Sequence, residues 1–180
     1  MATYTPSLQR NLGLLNTLQL LKLHNPDETI SQLWQPIVTE WFPLHDGYTY
    51  RFGVSYIRVI ALAPGPSESN ESGWLERGVF LVECRRPSSD SGTESNWSDT
   101  VNNQFREDLS STSNESKRVF GAVAIGKKVR FYRFDGKKPY EQQIVQLHQG
   151  TFDMGTPDGI AQVEDMMSYI KENAWQWANF

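Results

Sequence analysis

The chain has 180 residues, 38% hydrophobic and 12% aromatic, with a formal charge of −4. That length suits one hydrophobic core and predicts a single domain over 1–180, with residues 1–25 as an N-terminal helical extension. The net acidity excludes an attraction for nucleic acid or anionic membrane spread over the whole surface, so any polyanion site has to be local. The lone cysteine, Cys84, has no partner for an internal disulfide, and no apolar run reaches membrane-spanning length. With no basic-then-apolar leader at the amino end, the expectation is an intracellular protein, cytoplasmic or nuclear, with no membrane partner.

Leu12, Leu14, Leu15, Leu18 and Leu21 recur at helical spacing, and Pro26-Asp27-Glu28 opens a second helix with Ile30, Leu33, Trp34, Ile37 and Trp41 on one face. From Tyr48 to Leu62 the β-branched and aromatic residues predict one strand, and Trp74 to Arg85 predicts a second, antiparallel to it. After the polar segment SSDSGTESN, Trp97, Val101, Phe105 and Leu109 step by four along a helix. VFGAVAIG and KVRFYRF, joined near Gly126-Lys127, form a hairpin pattern; QQIVQL is a further strand candidate, and Ile160 to Trp177 the last helix. This mixed order predicts an α/β or α+β fold, a central mixed sheet flanked by helices.

The stretch GVFLVECRRP, Gly78 to Pro87, is the most informative. Alternation puts Val79, Leu81, Glu83 and Arg85 on one face of the strand and Phe80, Val82, Cys84 and Arg86 on the other. A carboxylate at the end of a buried strand needs a partner, because an isolated charge near a core is costly. Arg51, Arg58 and Arg85 are the candidates for a structural ion pair. The alternative is a metal-dependent phosphodiester site, in which Glu83 holds Mg²⁺ and the cation two residues on stabilises phosphate charge.

The order of an N-terminal helix, two strands, an E-x-K-like strand end, a helix and another strand resembles the PD-(D/E)XK nuclease superfamily, with its restriction-endonuclease-like core. FLVECRRP, NWSDTVNNQFREDL and VFGAVAIGKKVRFYRF together are similar to nuclease-like fungal proteins of unknown role. The resemblance implies Glu83 as the E-x-K carboxylate, Arg85 at the lysine position, Gln104 as a supporting helix glutamine, and Mg²⁺ as cofactor if the site is active. Arginine stays protonated, so Arg85 can clamp a phosphate oxygen but cannot act as a base. The preceding strand should supply an Asp, yet Tyr48 to Leu62 has no acidic residue, and Gly53 or Ser55 falls at the expected place. Asp46 in PLHDGY, or Glu40, is left to complete a metal site.

Lys127, Lys128 and Arg130, interleaved with Phe131 and Tyr132, make a candidate nucleic-acid surface for DNA or RNA, and equally a charge-protected edge hairpin. His24, His45 and His148 show no metal-ligand spacing, and His45-Asp46 reads as a turn. Three functions follow as expectations: a non-catalytic nuclease fold binding nucleic acid or a protein partner, an active Mg²⁺-dependent nuclease, or a fold recruited to bind or convert a small molecule.

Overall fold

The structure is a computed structural model that describes residues 6–21, 27–65, 73–87 and 94–179. In chain order it runs α1 (Leu12–Leu20), α2 (Asp27–Trp41), a 3₁₀ turn (Leu44–Asp46), β1 (Tyr48–Phe52), β2 (Tyr56–Pro64) and β3 (Trp74–Arg85). Then come α3 (Glu94–Thr100), a π-helical turn (Val101–Phe105), α4 (Arg106–Thr112), β4 (Arg118–Ile125) and β5 (Lys128–Asp135). The chain closes with a second 3₁₀ turn (Tyr140–Gln142), β6 (Ile144–Gln146), β7 (Phe152–Asp153) and α5 (Pro157–Asn179). The strands form one seven-stranded sheet in the order β1-β2-β3-β4-β5-β6, with β7 also on β5. Among the described strands only β3 and β4 pair in parallel. Their connection therefore crosses a face of the sheet, and α3 and α4 are that crossover. The fold is α+β with a central mixed sheet, as the sequence predicts.

Each face has its own core. On one, Leu14, Ile30, Trp34 and Ile37 of α1 and α2, with Val163, Met167 and Ile170 of α5, pack on Val59, Phe80, Val82, Ala122 and Phe131. On the other, Trp97, Phe105 and Leu109 pack on Leu81, Val119, Val123, Tyr132 and Phe134. The N-terminal segment is part of the domain rather than an appendage. Leu8 is buried, and the Glu164 carboxylate of α5 accepts from the backbone N–H groups of Leu8 and Gln9, 2.5 and 3.1 Å away.

Two departures from the sequence reading matter for the site. The segment from Tyr48 to Leu62 is not one strand but a hairpin that turns at Gly53-Val54-Ser55, with Gly53 N–H donating to Tyr56 O. A Cβ on Gly53 would lie 2.3 Å from the Tyr56 ring, so only glycine lets that ring fold over the turn. In β3, the register with β2 slips between Val59 and Ile60, opposite Phe80 and Gly78. Val79 is the extra residue of this bulge and joins the α5-side core with Phe80, so it does not share Glu83's face.

Candidate functional site

Glu83 sits between Tyr56 of β2 and Val123 of β4, on the α3 and α4 side of the sheet. Its side chain is 0% exposed and Arg85's is 35% exposed, so the pair spans the boundary between core and solvent. An Arg85 Nη2 to Glu83 Oε1 ion pair of 2.8 Å selects Arg85 from the three candidate partners. Arg51 instead pairs with Glu76 at 2.9 Å, and Arg58 donates to Ser111 Oγ at 3.2 Å. Ser55 Oγ donates to the same Glu83 Oε1 at 3.5 Å, because the β1–β2 turn swings Ser55 back while its carbonyl takes the Cys84 N–H.

Glu83 Oε2 is buried with no hydrogen-bond donor among the described residues. The carboxyl group close to it belongs to Asp108 of α4, near enough for the two to share a hydrogen bond when one is protonated. Desolvation pushes the Glu83 pKa up to about 7; Arg85 opposes the rise, Asp108 adds to it and Ser55 lowers it. Gln104 Nε2 donates to Asp108 Oδ1 at 3.1 Å. Gln104 therefore reaches the site through Asp108, one helical turn on.

The placement of Asp108 depends on the crossover helix. A step of four outruns the 3.6-residue turn, so Trp97, Val101, Phe105 and Leu109 would drift around a regular helix. The π-helical turn at Val101–Phe105 takes up the excess and returns Phe105 and Leu109 to the sheet, where both are fully buried. At the end of α4, Thr112 O closes on Gly78, and just beyond it the Asn114 side chain accepts from Gly78 N–H and donates to Gly78 O, both at 2.9 Å. This seam fixes α4 on the bulge of β3.

Sequence reasoning missed Asp108. Its signal was available: Gln104 and Asp108 lie four apart and so on one helix face, and Leu109 beside them is a core residue.

Asp46 is not brought to Glu83. It lies in the first 3₁₀ turn, beside Gly47, whose carbonyl takes the N–H of Leu62, the register partner of Glu76. Glu76 is seven residues from Glu83 along β3, about 23 Å at ordinary strand rise. There Asp46 pairs with Lys171 at 3.0 Å, and that ammonium holds its pKa below the usual carboxylate range. Glu40 accepts from Ser7 N–H at 3.4 Å.

The three basic candidates separate. Gly126 N–H donates to Arg85 O, which sets the turn carrying Lys127 and the first residue of β5, Lys128, beside the Glu83 end of β3. Arg130 does not join them. It shares a strand face with Lys128 but lies further along β5 under α3, where its guanidinium makes bonds of 3.0 and 2.6 Å to Glu94 and 2.6 Å to Thr151, and lies 4.5 Å from the Trp97 ring centroid. It ties β5 to α3 and the β6–β7 loop, and is only 9% exposed.

Mg²⁺ fits this donor set poorly. Burial pushes the Glu83 pKa up to about 7, which weakens it as a ligand for a hard cation, and Arg85 already occupies one of its oxygens. Among the described residues no group of three or more His, Cys, Asp or Glu side chains could hold a metal ion, and no helix is long and apolar enough to cross a membrane. No family model matches the chain, and no curated protein or solved structure matches it significantly.

Proposed function

We propose that the protein is a PD-(D/E)XK-type nuclease fold whose catalytic corner has become a buried carboxyl–guanidinium pair, and that it acts as a non-catalytic nucleic-acid-binding module. The observation that carries this reading is the environment of Glu83. One oxygen is held by Arg85, the residue from the β1–β2 turn beside it is Ser55 rather than an acid, and its pKa is pushed up to about 7. A carboxyl that favours its proton is a weak ligand for a hard cation. The arrangement of α2, β1, β2, β3, a crossover and a parallel β4 is compatible with the core that the sequence resembles. Arg85, Lys127 and Lys128 at one end of the sheet supply the local positive charge that the acidic chain lacks overall.

Asp108 favours one other reading. It supplies a second carboxyl from the helix where the strand lacks one, so that Glu83 and Asp108 could together serve a Mg²⁺-dependent phosphodiesterase. A supercoiled-plasmid nicking assay with Mg²⁺ or Mn²⁺ separates the two. The binding-module reading expects no cleavage by the wild type, and salt-sensitive retention of DNA or RNA that Lys127→Glu with Lys128→Glu weakens. Cleavage by the wild type that both Glu83→Ala and Asp108→Ala abolish establishes the enzyme reading instead. Retention unchanged by the double lysine variant overturns the basic surface.

A further inference from the structure

The end of the sheet opposite Glu83 carries a cleft. β4 begins at Arg118 and β5 ends at Asp135, its register partner. Arg118 is five residues, about 17 Å, along β4 from Val123, beside which Glu83 lies. Phe120 and Arg133 are also register partners, and α5 lays Trp177 over this corner. The Arg118 and Arg133 guanidinium carbons lie 4.8 and 5.6 Å from the Trp177 ring centroid. These three side chains separate two chambers. The larger, about 580 Å³, is also lined by Lys138, Gln142, Gln143 and Val145. The smaller, about 280 Å³, is lined by Phe120, Tyr169, Asn173 and Gln176.

The chambers differ in chemistry. In the larger, the charge of Arg118 is matched by Asp135 at 3.1 Å, and Glu141 contributes a second acid at the rim. The guanidinium of Arg133 and the ammonium of Lys138 have no hydrogen-bond acceptor or ion-pair partner among the described residues. A guanidinium held over an indole, with an ammonium beside it, suits a phosphate group. The smaller chamber offers an aromatic edge, Tyr169 packed at 80° on Phe120, the side-chain amide of Gln176, and the amide of Asn173, whose Nδ2 already donates to Tyr169 O at 2.7 Å and whose Oδ1 is left to accept. A ring to lie on the aromatic and hydrogen-bonding edges to meet the amides describe a nucleobase.

We propose that this cleft binds a nucleoside monophosphate, with its phosphate on Arg133 and Lys138 and its base against Tyr169, Asn173 and Gln176. The larger chamber alone falls within the range of roughly 300–1,000 Å³ that small-molecule sites occupy. The site shares no residue with the Glu83 corner, so it stands whether or not that corner meets nucleic acid.

Isothermal titration calorimetry of the full chain with AMP, GMP, CMP and UMP, each beside its nucleoside and inorganic phosphate, tests this. At least one monophosphate is expected to bind one to one, more tightly than its nucleoside or phosphate alone. Arg133→Ala and Lys138→Glu should each weaken it by about tenfold or more, whereas Lys127→Glu with Lys128→Glu leaves it unchanged. Lys138 is exposed outside the strands, so its variant reports on binding even if Arg133→Ala loosens the Trp177 corner. No binding of any monophosphate at millimolar concentration overturns the proposal. So does binding indifferent to both variants, or binding shown only by a single-stranded oligonucleotide.

Discussion

Glu83→Gln should make the protein less sensitive to pH, with the largest benefit above neutrality. An unperturbed glutamate ionises near 4.5, and in the folded protein Glu83 does so at about 7. Below the lower value the group is protonated in both folded and unfolded states and costs nothing. As pH rises through the interval, the unfolded chain releases its proton while the folded protein retains it, so folding stability falls until the folded group ionises. An interval of about 2.5 pH units corresponds to about 3 kcal/mol lost between pH 4.5 and about pH 8. For a chain of this size that is roughly 6–12 °C in Tm. Glutamine keeps an acceptor for Arg85 and Ser55 and removes the titration. Urea unfolding of both proteins across the interval isolates Glu83 and the groups it touches, because titrating groups elsewhere cancel in the difference. Relative to the variant, the wild type should lose about 3 kcal/mol on going from acid to alkaline pH. A difference that stays flat, or moves in the wild type's favour as pH rises, refutes the reasoning and would mean that Arg85 outweighs burial.

Asp108→Asn removes a neighbouring negative charge, so the Glu83 pKa should fall and the same pH dependence should flatten; a carbon-detected NMR titration of the Glu83 carboxyl reads this directly. Gly78→Ala would place a Cβ 2.3 Å from the Thr112 carbonyl oxygen. It should destabilise the fold by about 2 kcal/mol or more in urea unfolding and loosen α4. Phe105→Ala empties the space beneath the π-helical turn, where the ring is fully buried and 5.6 Å from Tyr132 by centroid. The expected cost is about 3–5 kcal/mol in the same assay.

The layout of the molecule was largely legible in the sequence, since its signals are local. Alternation along VFGAVAIG and KVRFYRF specified the β4–β5 hairpin, and the four-residue step from Trp97 to Leu109 marked the crossover helix. The acidic end of GVFLVECRRP pointed to Glu83, and Arg85 was among its foreseen partners. What escaped depends on single backbone events. Gly53 divides an apparently continuous strand, and its turn brings Ser55 to Glu83. The bulge at Val79 shifts one side chain to the other core. Asp46 and Asp108 are comparable acids in the sequence, but only the tertiary path separates them: one ends beside Lys171, the other beside Glu83. Arg130 looked like surface charge because nothing in KKVRFYRF announces that Glu94 waits at the start of α3.

The Glu164 clasp on Leu8 and Gln9 joins residues more than 150 positions apart. It joins a short N-terminal segment to a helix that contacts both β3 and β4. A contact of such long sequence separation carries a high loop-closure cost. Release of the clasp would expose Leu8, a member of the core formed by α1, α2 and α5, together with the Glu164 carboxylate. That core lies on the face of the sheet away from Glu83, so opening at Leu8 acts on the side that does not carry the Glu83 corner.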